Sequence, residues 1–254
     1  MRRYLVVAAA FAAPAALSAQ QTLLRLAPPS GQVSHYHIET TTGMDMAEGS
    51  IDANFFMRIT SHVDSVAGDR YTVHTVVDSF RIDAPNLPMG AMPDLTGTAT
   101  SVRMTTRARV LETVYSDSTL TAQFGGMAGS PGQSFPAGMT LPEEPVAPGY
   151  QWSDSSVIRP QAGPMGAVTV TTLSNYTFDH LERRAGARIA VVTIKGTITQ
   201  TAAMMSSQGT LDGIMEFDLD AGRWVTNHMT VEMQTTAGAQ QMTVTVRTTG
   251  RLVS

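Results

Sequence analysis

Six histidines are the side chains of this 254-residue sequence best suited to metal or acid–base chemistry. His35 and His37 stand two apart, so in an extended strand both project from one face. His62 and His74 flank the Ala67-Gly68 pair and would be neighbours across a hairpin closed there. Neutral imidazoles bind zinc or copper without sulfur. Polar strand faces rich in Thr and Arg also carry His simply because they face water, and on that reading no metal and no cofactor are expected. The 16 methionines raise Cu(I) binding through thioethers. Their spacing argues otherwise: Met44 and Met46 form one M-x-M, Met204-Met205 is one doublet, and the rest are scattered. Methionine spread in this way fills core gaps, or lines an interior that repacks around an apolar guest.

Nucleophilic and acid–base catalysis find no support. There is no G-x-S-x-G elbow, no S-x-x-K, no H-E-x-x-H and no phosphate-cradling glycine loop. Zero cysteine removes disulfides, thiolate zinc sites, a Cys nucleophile and lipidation at Cys. Glu143-Glu144 sits in a Pro-rich stretch and is expected to be solvated. Near Asp212, the carboxylates Glu216, Asp218 and Asp220 share one face, opposite Met215, Phe217 and Leu219. That alternation reads as a half-exposed strand, with weak calcium binding as the other possibility. A nucleic-acid partner is disfavoured, because 17 Lys+Arg against 21 Asp+Glu include no basic block. No catalytic residue is assigned, and the chain is read as a non-enzyme.

The elements that position these side chains are strands. Threonine occurs 33 times and Val and Ile are frequent, which suits pleated sheet. Period-2 alternation predicts strands over 35–42, 54–63, 70–82, 167–181, 188–199, 210–219, 223–235 and 240–252. Phe55, Met57, Ile59 and Val63 fall on one face, as do Tyr71, Val73 and Val77, and Val168, Val170, Tyr176 and Phe178. Met229, Val231 and Met233 alternate with His228, Thr230 and Glu232. Ala-Gly recurs at 67–68, 185–186, 221–222 and 237–238, between strand-like runs, and glycine supplies the positive φ of tight hairpins. The fold class is therefore all-β: antiparallel meanders forming a curved sheet, half-barrel or barrel.

An internal repeat suggests two duplicated halves. His62 to Val73 aligns without gaps on His180 to Val191, an offset of 118, with His, Ala, Gly, Arg and Val identical. A weaker echo pairs Arg109-Val110-Leu111 with Arg223-Trp224-Val225. The expected organisation is a first meander half over 20–121, a Gly/Pro/Met-rich linker over 122–150 and a second half over 151–254, in one compact domain. The linker and a shorter Pro-rich loop at 84–97 are apolar for loops and could act as lids.

Residues 1–19 read as a secretory signal peptide, with Arg2-Arg3, an apolar stretch from Tyr4 to Ala13, and Ala16-Leu17-Ser18-Ala19 for cleavage. Its removal leaves 15 basic and 21 acidic residues, a net charge of −6 with His neutral. An exported chain in the periplasm or medium follows, with no transmembrane anchor after cleavage.

The most distinctive segment is Leu141-Pro142-Glu143-Glu144-Pro145-Val146-Ala147-Pro148-Gly149-Tyr150-Gln151-Trp152. It resembles the LP-x-x-PV-x-x-G-x-x-W stretch of a family of exported bacterial β-rich proteins, and the opening Leu26-Ala27-Pro28-Pro29-Ser30-Gly31-Gln32-Val33 is similar as well. The resemblance implies membership and export, and carries no catalytic role. Physically, the prolines fix an extended connection, Gly149 allows a turn, and Trp152 anchors the second half in the core. By analogy of fold alone, such meanders resemble the half-open barrels of lipoprotein carriers. Together these readings point to a non-enzymatic β protein binding an apolar ligand, a lipid or an acylated polypeptide, in a curved-sheet cavity. The candidate lining residues are Phe55, Met57, Ile59, Tyr71, Val73, Met215, Phe217, Met229 and Met233. The alternative is a structural or interaction module of the cell envelope, with a protein partner and no small-molecule site.

Overall fold

The computed structural model describes residues 21–46, 49–85, 94–116, 139–158, 169–202, 205–237 and 240–253. The segment 1–19 that reads as a signal peptide, most of the 84–97 loop and the Gly-rich part of the linker lie outside the described residues. Among the described residues every regular element is a strand: β1 (Val33–Met46), β2 (Gly49–Ala67), β3 (Arg70–Asp83), β4 (Ala99–Thr105), β5 (Val110–Tyr115), β6 (Gln151–Ile158), β7 (Thr169–Arg184), β8 (Ala187–Ala202), β9 (Met205–Asp218), β10 (Arg223–Ala237) and β11 (Gln240–Val253).

All strands belong to one antiparallel sheet of order β5-β4-β3-β2-β1-β11-β10-β9-β8-β7-β6. The first and last strands pair at its centre, with Tyr36 opposite Leu252 and Thr42 opposite Val246. The edges are β5 and β6, consecutive in sequence and unpaired with each other, so the sheet curves without closing. The expected period-2 faces are present. On β2, Met57, Ile59 and Val63 point into the core, and on β3 Tyr71 and Val77 do the same. The sequence reading missed β4, β5 and β6. β5 and β6 are edge strands with little burial on either face, and β4 spans only 7 residues, among them Ser, Thr and Arg. None of the three carries a sustained apolar alternation.

Two devices bend the sheet. The first is a set of β-bulges, each inserting one residue and increasing the local twist. Val225 is extra between the Trp224–Phe217 and Thr226–Glu216 pairs. Asp64 and Asp78 are extra in the β2–β3 ladder, and Asp179 in β7–β8. The second is glycine on the inner face of β8 and β9. Cβ atoms at Gly196 and Gly213 would lie 2.5 Å from the Leu173 carbonyl oxygen and 2.7 Å from that of His228. Neighbouring strands approach there more closely than a side chain allows.

The matched segments of the repeat are both hairpins, but in different registers. Ala67 pairs with Arg70 around Gly68-Asp69, whereas Arg184 pairs with Ala187 around Ala185-Gly186, both at positive φ. The hairpins therefore superimpose at an offset of 117, one residue from the identity match. A one-residue slip exchanges faces. The match sets inward-facing Val73 on Val191, while the core side of β8 is formed by Ala190, Val192 and Ile194.

One end of the concave face is plugged. Residues 22–26 pair with the described part of the linker through Thr22 N–H to Val146 O (2.7 Å) and Val146 N–H to Thr22 O (2.9 Å). This unit spans the gap between the sheet edges. Leu26 N–H donates to Thr106 O at 2.8 Å, Leu141 N–H to Arg107 O at 2.8 Å, and Gly149 N–H to Phe178 O at 2.7 Å. Leu24, Leu26, Met139, Leu141 and Val146 are buried under it, against Phe178, Met215 and Phe217. The linker's second half is thus a core element and not only a connection. Gly149 takes a φ of 87°, in keeping with the expected turn. Trp152 is partly buried and stacks on Tyr176, with ring centroids 5.3 Å apart.

Three tyrosines lie in this core. Burial pushes the hydroxyls of Tyr36 and Tyr176 up to about 12 and that of Tyr71 higher still. The unfolded chain ionises near 10. The folded state therefore holds these protons more tightly, so the stability they contribute is complete below about pH 10 and is lost as pH rises towards 12, at roughly 2–3 kcal/mol for each of Tyr36 and Tyr176. Thermal melts followed by circular dichroism are expected to be steady up to about pH 10 and to fall above it, with Tyr36→Phe flattening the fall.

Candidate functional site

The concave face is packed under the plug, and beyond it buried Ala53, Leu211 and Val231 are interleaved with inner-face side chains that stay partly exposed. Inner-face positions follow from the registers. Ile38 pairs with Met57 and Thr40 with Phe55, Met57 with Phe80, Thr248 with Met229, and Val244 with Met233. Ile38, Phe55, Phe80, Met229, Met233 and Val246 are all half-buried, forming an apolar floor that water still reaches. Phe55 and Phe80 stack with centroids 6.5 Å apart. Met229 and Met233 lie over glycines: their Cγ atoms would be 3.0 and 2.8 Å from Cβ atoms at Gly213 and Gly209. The missing side chains leave room for two flexible thioethers, which adapt to irregular apolar surfaces.

The nine candidate lining residues share this face but not one environment. Phe55, Met229 and Met233 belong to the accessible floor. Met57 is buried beside it at 9% exposure. Ile59, Met215 and Phe217 are packed solid, with 1%, 0% and 1% of their surface exposed, and serve the core. Tyr71 and Val73 line something different: a cavity of about 60 Å³ beneath the plug.

That cavity has a mixed wall, apolar through Val63, Val73, Val102 and Met104 and polar or aromatic elsewhere. Gln32, Ser34, Tyr36, Tyr71, Arg223 and Trp224 contribute to its wall, and Ser61 and Thr75 share a hydroxyl hydrogen bond of 3.1 Å on one side. Tyr36 and Trp224 stack with centroids 3.9 Å apart and planes 13° from parallel. The Val225 bulge makes the stack possible: it shifts β10 by one residue, so that Trp224 shares a face with Met229 and Met233. Arg223 donates from Nη1 to Ser34 Oγ at 3.2 Å. Its Nε is buried without a partner, as is Gln32 Oε1. Asp218, opposite Arg223 in the ladder, caps the following turn instead, accepting from the N–H groups of Asp220 (3.0 Å) and Ala221 (2.9 Å). One water needs roughly 10–15 Å³ of such space, so the cavity holds on the order of four waters or one small polar group. A whole lipid does not fit there.

Sequence reasoning missed Tyr36, Trp224, Arg223 and Gln32. The alternation of Ser34, Tyr36 and Ile38 was available as a signal. In the sequence Arg223-Trp224 stands out only as an echo of Arg109-Val110, and no periodicity locates the bulge.

The histidines and carboxylates lie elsewhere, mainly on the outer face. His62 and His74 are direct cross-strand neighbours, as the Ala-Gly turn implies. His62 Nδ1 lies 2.7 Å from Asp64 Oδ1, and His35 Nδ1 lies 2.9 Å from Thr60 Oγ1. Arg184 bridges Glu182 and Glu216 at 2.5 and 2.7 Å and holds the Glu216 carboxyl below its usual range. Arg188 pairs with Asp220 at 2.7 Å. These are arginine–carboxylate contacts of a solvated sheet face. Among the described residues no three His, Asp or Glu side chains are gathered as a cation would require.

No family model matches the chain, and no curated protein matches it. Among solved structures, the hypothetical lipoprotein YmcC from Escherichia coli shows 13% identity and a TM-score of 0.25, over 82% of this chain and 85% of that one. DynF from the dynemicin biosynthesis pathway of Micromonospora chersina shows 9% identity and a TM-score of 0.22, over 95% and 92%. Overlap at that level assigns neither a topology nor a ligand to this chain.

Proposed function

We propose that this protein is exported, is not an enzyme, and holds an apolar ligand on the accessible part of its concave face. The observation that carries the reading is the floor of Ile38, Phe55, Phe80, Met229, Met233 and Val246. These are inner-face apolar side chains that remain half-exposed although the same face is fully packed a few residues away. Large side chains left in this state gain free energy when a guest covers them, at about 25 cal/mol for each Å² removed from water. Two methionines over glycines make the floor adaptable. Export rests on the N-terminal signature Arg2-Arg3 followed by a short apolar stretch.

The test is titration of the solvent-extracted protein with a fluorescent fatty acid. The wild type should bind, and the pair Met229→Asp with Met233→Asp should weaken binding at least about tenfold, since each carboxylate would be desolvated by the guest. Leu173→Asp and Ile214→Asp, on exposed residues of the outer face, should leave binding unchanged. Absence of binding by the wild type, or equal loss in the outer-face pair, would sink the proposal.

A further inference from the structure

We infer that the outer face of the sheet carries a seat for a phosphate monoester group, formed by Arg58, His37 and Arg251. The three stand in one row across the central strands. His37 on β1 is the direct partner of Arg58 on β2 and of Arg251 on β11. Tyr36, Met57 and Ile59, next to them in the chain, point into the core, so the row projects from the opposite face. Neighbouring strands lie about 4.8 Å apart, which roots the two arginines roughly 10 Å from each other with the imidazole between them. That face is convex, which spreads side chains, yet Arg251 leans inward: its Nη2 lies 3.4 Å from His37 Nδ1.

The row lacks the counterions found elsewhere on the same face. Arg184 and Arg188 lie 2.7 Å from Glu216 and Asp220. Among the described residues Arg58 has no ion pair and no hydrogen bond, and Arg251 has only its contact with His37. Both are exposed. Of the carboxylates nearby, Asp78 accepts from Thr60 Oγ1 at 2.7 Å, and Glu216 is held by Arg184. Glu39 Oε1 lies 3.8 Å from His37 Nε2 and offsets one of the two positive charges. Guanidinium groups within about a Debye length repel each other, and an anion between them removes that repulsion. His37 is only 22% exposed on this wet face, so it floors a shallow seat between two arginine arms. With Nδ1 turned to the Arg251 N–H, the neutral imidazole carries its proton on Nε2 and donates from there. Guanidinium forks take phosphate oxygens two at a time. A phosphate monoester, with three acceptor oxygens and a charge of about −1.5 to −2, uses both arginines and the imidazole. A carboxylate, with one charge and two oxygens, leaves one arginine unused.

Phenyl phosphate and benzoate, titrated calorimetrically into the full chain in phosphate-free buffer, test the seat. Phenyl phosphate is expected to bind, and benzoate about tenfold more weakly, the worth of one charge-assisted contact. Arg58→Gln and Arg251→Gln should each weaken phenyl phosphate about tenfold for the same reason. Arg247→Gln removes the same charge from the same face, four residues along β11, and should matter less than about twofold because exposed charges at that distance are largely screened. Glu39→Gln should strengthen binding several-fold, a gain that no folding defect produces. Sedimentation with phosphatidylcholine vesicles, with and without phosphatidic acid, identifies the source of the phosphate. Phenyl phosphate binding together with sedimentation on phosphatidic acid vesicles supports the seat and assigns it to a lipid headgroup. Phenyl phosphate binding without sedimentation supports the seat and assigns it to a soluble phosphate ester. No binding of phenyl phosphate, equal binding of benzoate, an equal loss in Arg247→Gln and Arg58→Gln, or an unchanged affinity in Glu39→Gln overturns the inference.

Discussion

Alanine at Gly222 is expected to release the plug and to be among the most damaging single-methyl changes in the chain. Two independent effects add there. Gly222 has a φ of +65°, where an L side chain is strained, and its added Cβ would lie 2.5 Å from Pro28 N and 2.6 Å from Ala27 N. Neither obstacle is a flexible side-chain tip, so the 27–28 backbone must move away. Leu24 and Leu26, at 1% and 0% exposure, would then lose their cover. The expected cost is roughly 3–5 kcal/mol, combining left-handed strain with partial loss of two buried leucines. Hydrogen exchange gives a specific signature: protection at Thr22 and Leu26, whose amides bond Val146 and Thr106, should collapse before that of β8 and β9. Gly31→Ala is the control, since Gly31 has a φ of +80° but nothing within 4 Å of an added Cβ. It should cost only about 1 kcal/mol and keep that protection. Equal effects at the two positions would mean that the turn does not hold the segment.

The second large effect concerns curvature. Gly209→Ala brings a Cβ against the Glu232 carbonyl oxygen and within 2.9 Å of Met233 Cα, and Gly213→Ala brings one to 2.7 Å from the His228 oxygen. Both clashes are with the backbone of β10, so the ladder between β9 and β10 must open or flatten. Overpacking of this kind costs roughly 1–3 kcal/mol per site, and the two together should couple, because they press on one strand. Urea denaturation should show the loss. The Met229 and Met233 floor should be displaced at the same time, so affinity for the fluorescent fatty acid should fall with stability. Gly43→Ala is the matched control. Its Cβ would meet only Asp52 Oδ1 at 3.2 Å, the movable end of a side chain, and the change should stay within about 0.5 kcal/mol. A Gly209→Ala variant as stable as the wild type would show that the sheet does not depend on that close approach.

These glycines mark where sequence reading stops. Eight of the strands were legible because Met57, Ile59 and Val63, or Met229, Val231 and Met233, repeat with a period of two against polar neighbours. The hairpins were legible because Ala-Gly pairs separate those runs. Strands β5 and β6 were not, since an edge strand with both faces partly wet has no reason to alternate. Bulges were hidden for a related reason. Val225 and Asp179 each break the phase by one residue, so a strict alternation puts Trp224 on the wrong face relative to Met229. The same shift hid most of the cavity, which needs Tyr36, Tyr71 and Trp224 from strands far apart in sequence. The linker reads from its Pro, Gly and Met content as a loop that is apolar for a loop and could act as a lid; in its described part Met139, Leu141 and Val146 are buried, filling the gap between the sheet edges.

The candidate site was legible as a face and not as a place. Alternation identifies Phe55, Met57 and Ile59 as co-facial, but only packing separates the accessible Phe55 from the filled Ile59. That distinction carries the functional reading, since a ligand needs the part of the face that the chain does not fill itself.

Native mass spectrometry of the protein taken gently from its source, followed by solvent extraction and identification of what is released, tests that reading most directly. A bound population heavier than the chain by the mass of one apolar molecule, lost on extraction and reduced in the Met229→Asp with Met233→Asp variant, is the predicted result. A single species at the mass of the bare chain, with nothing recovered in the extract and no uptake of a fluorescent fatty acid afterwards, would contradict it.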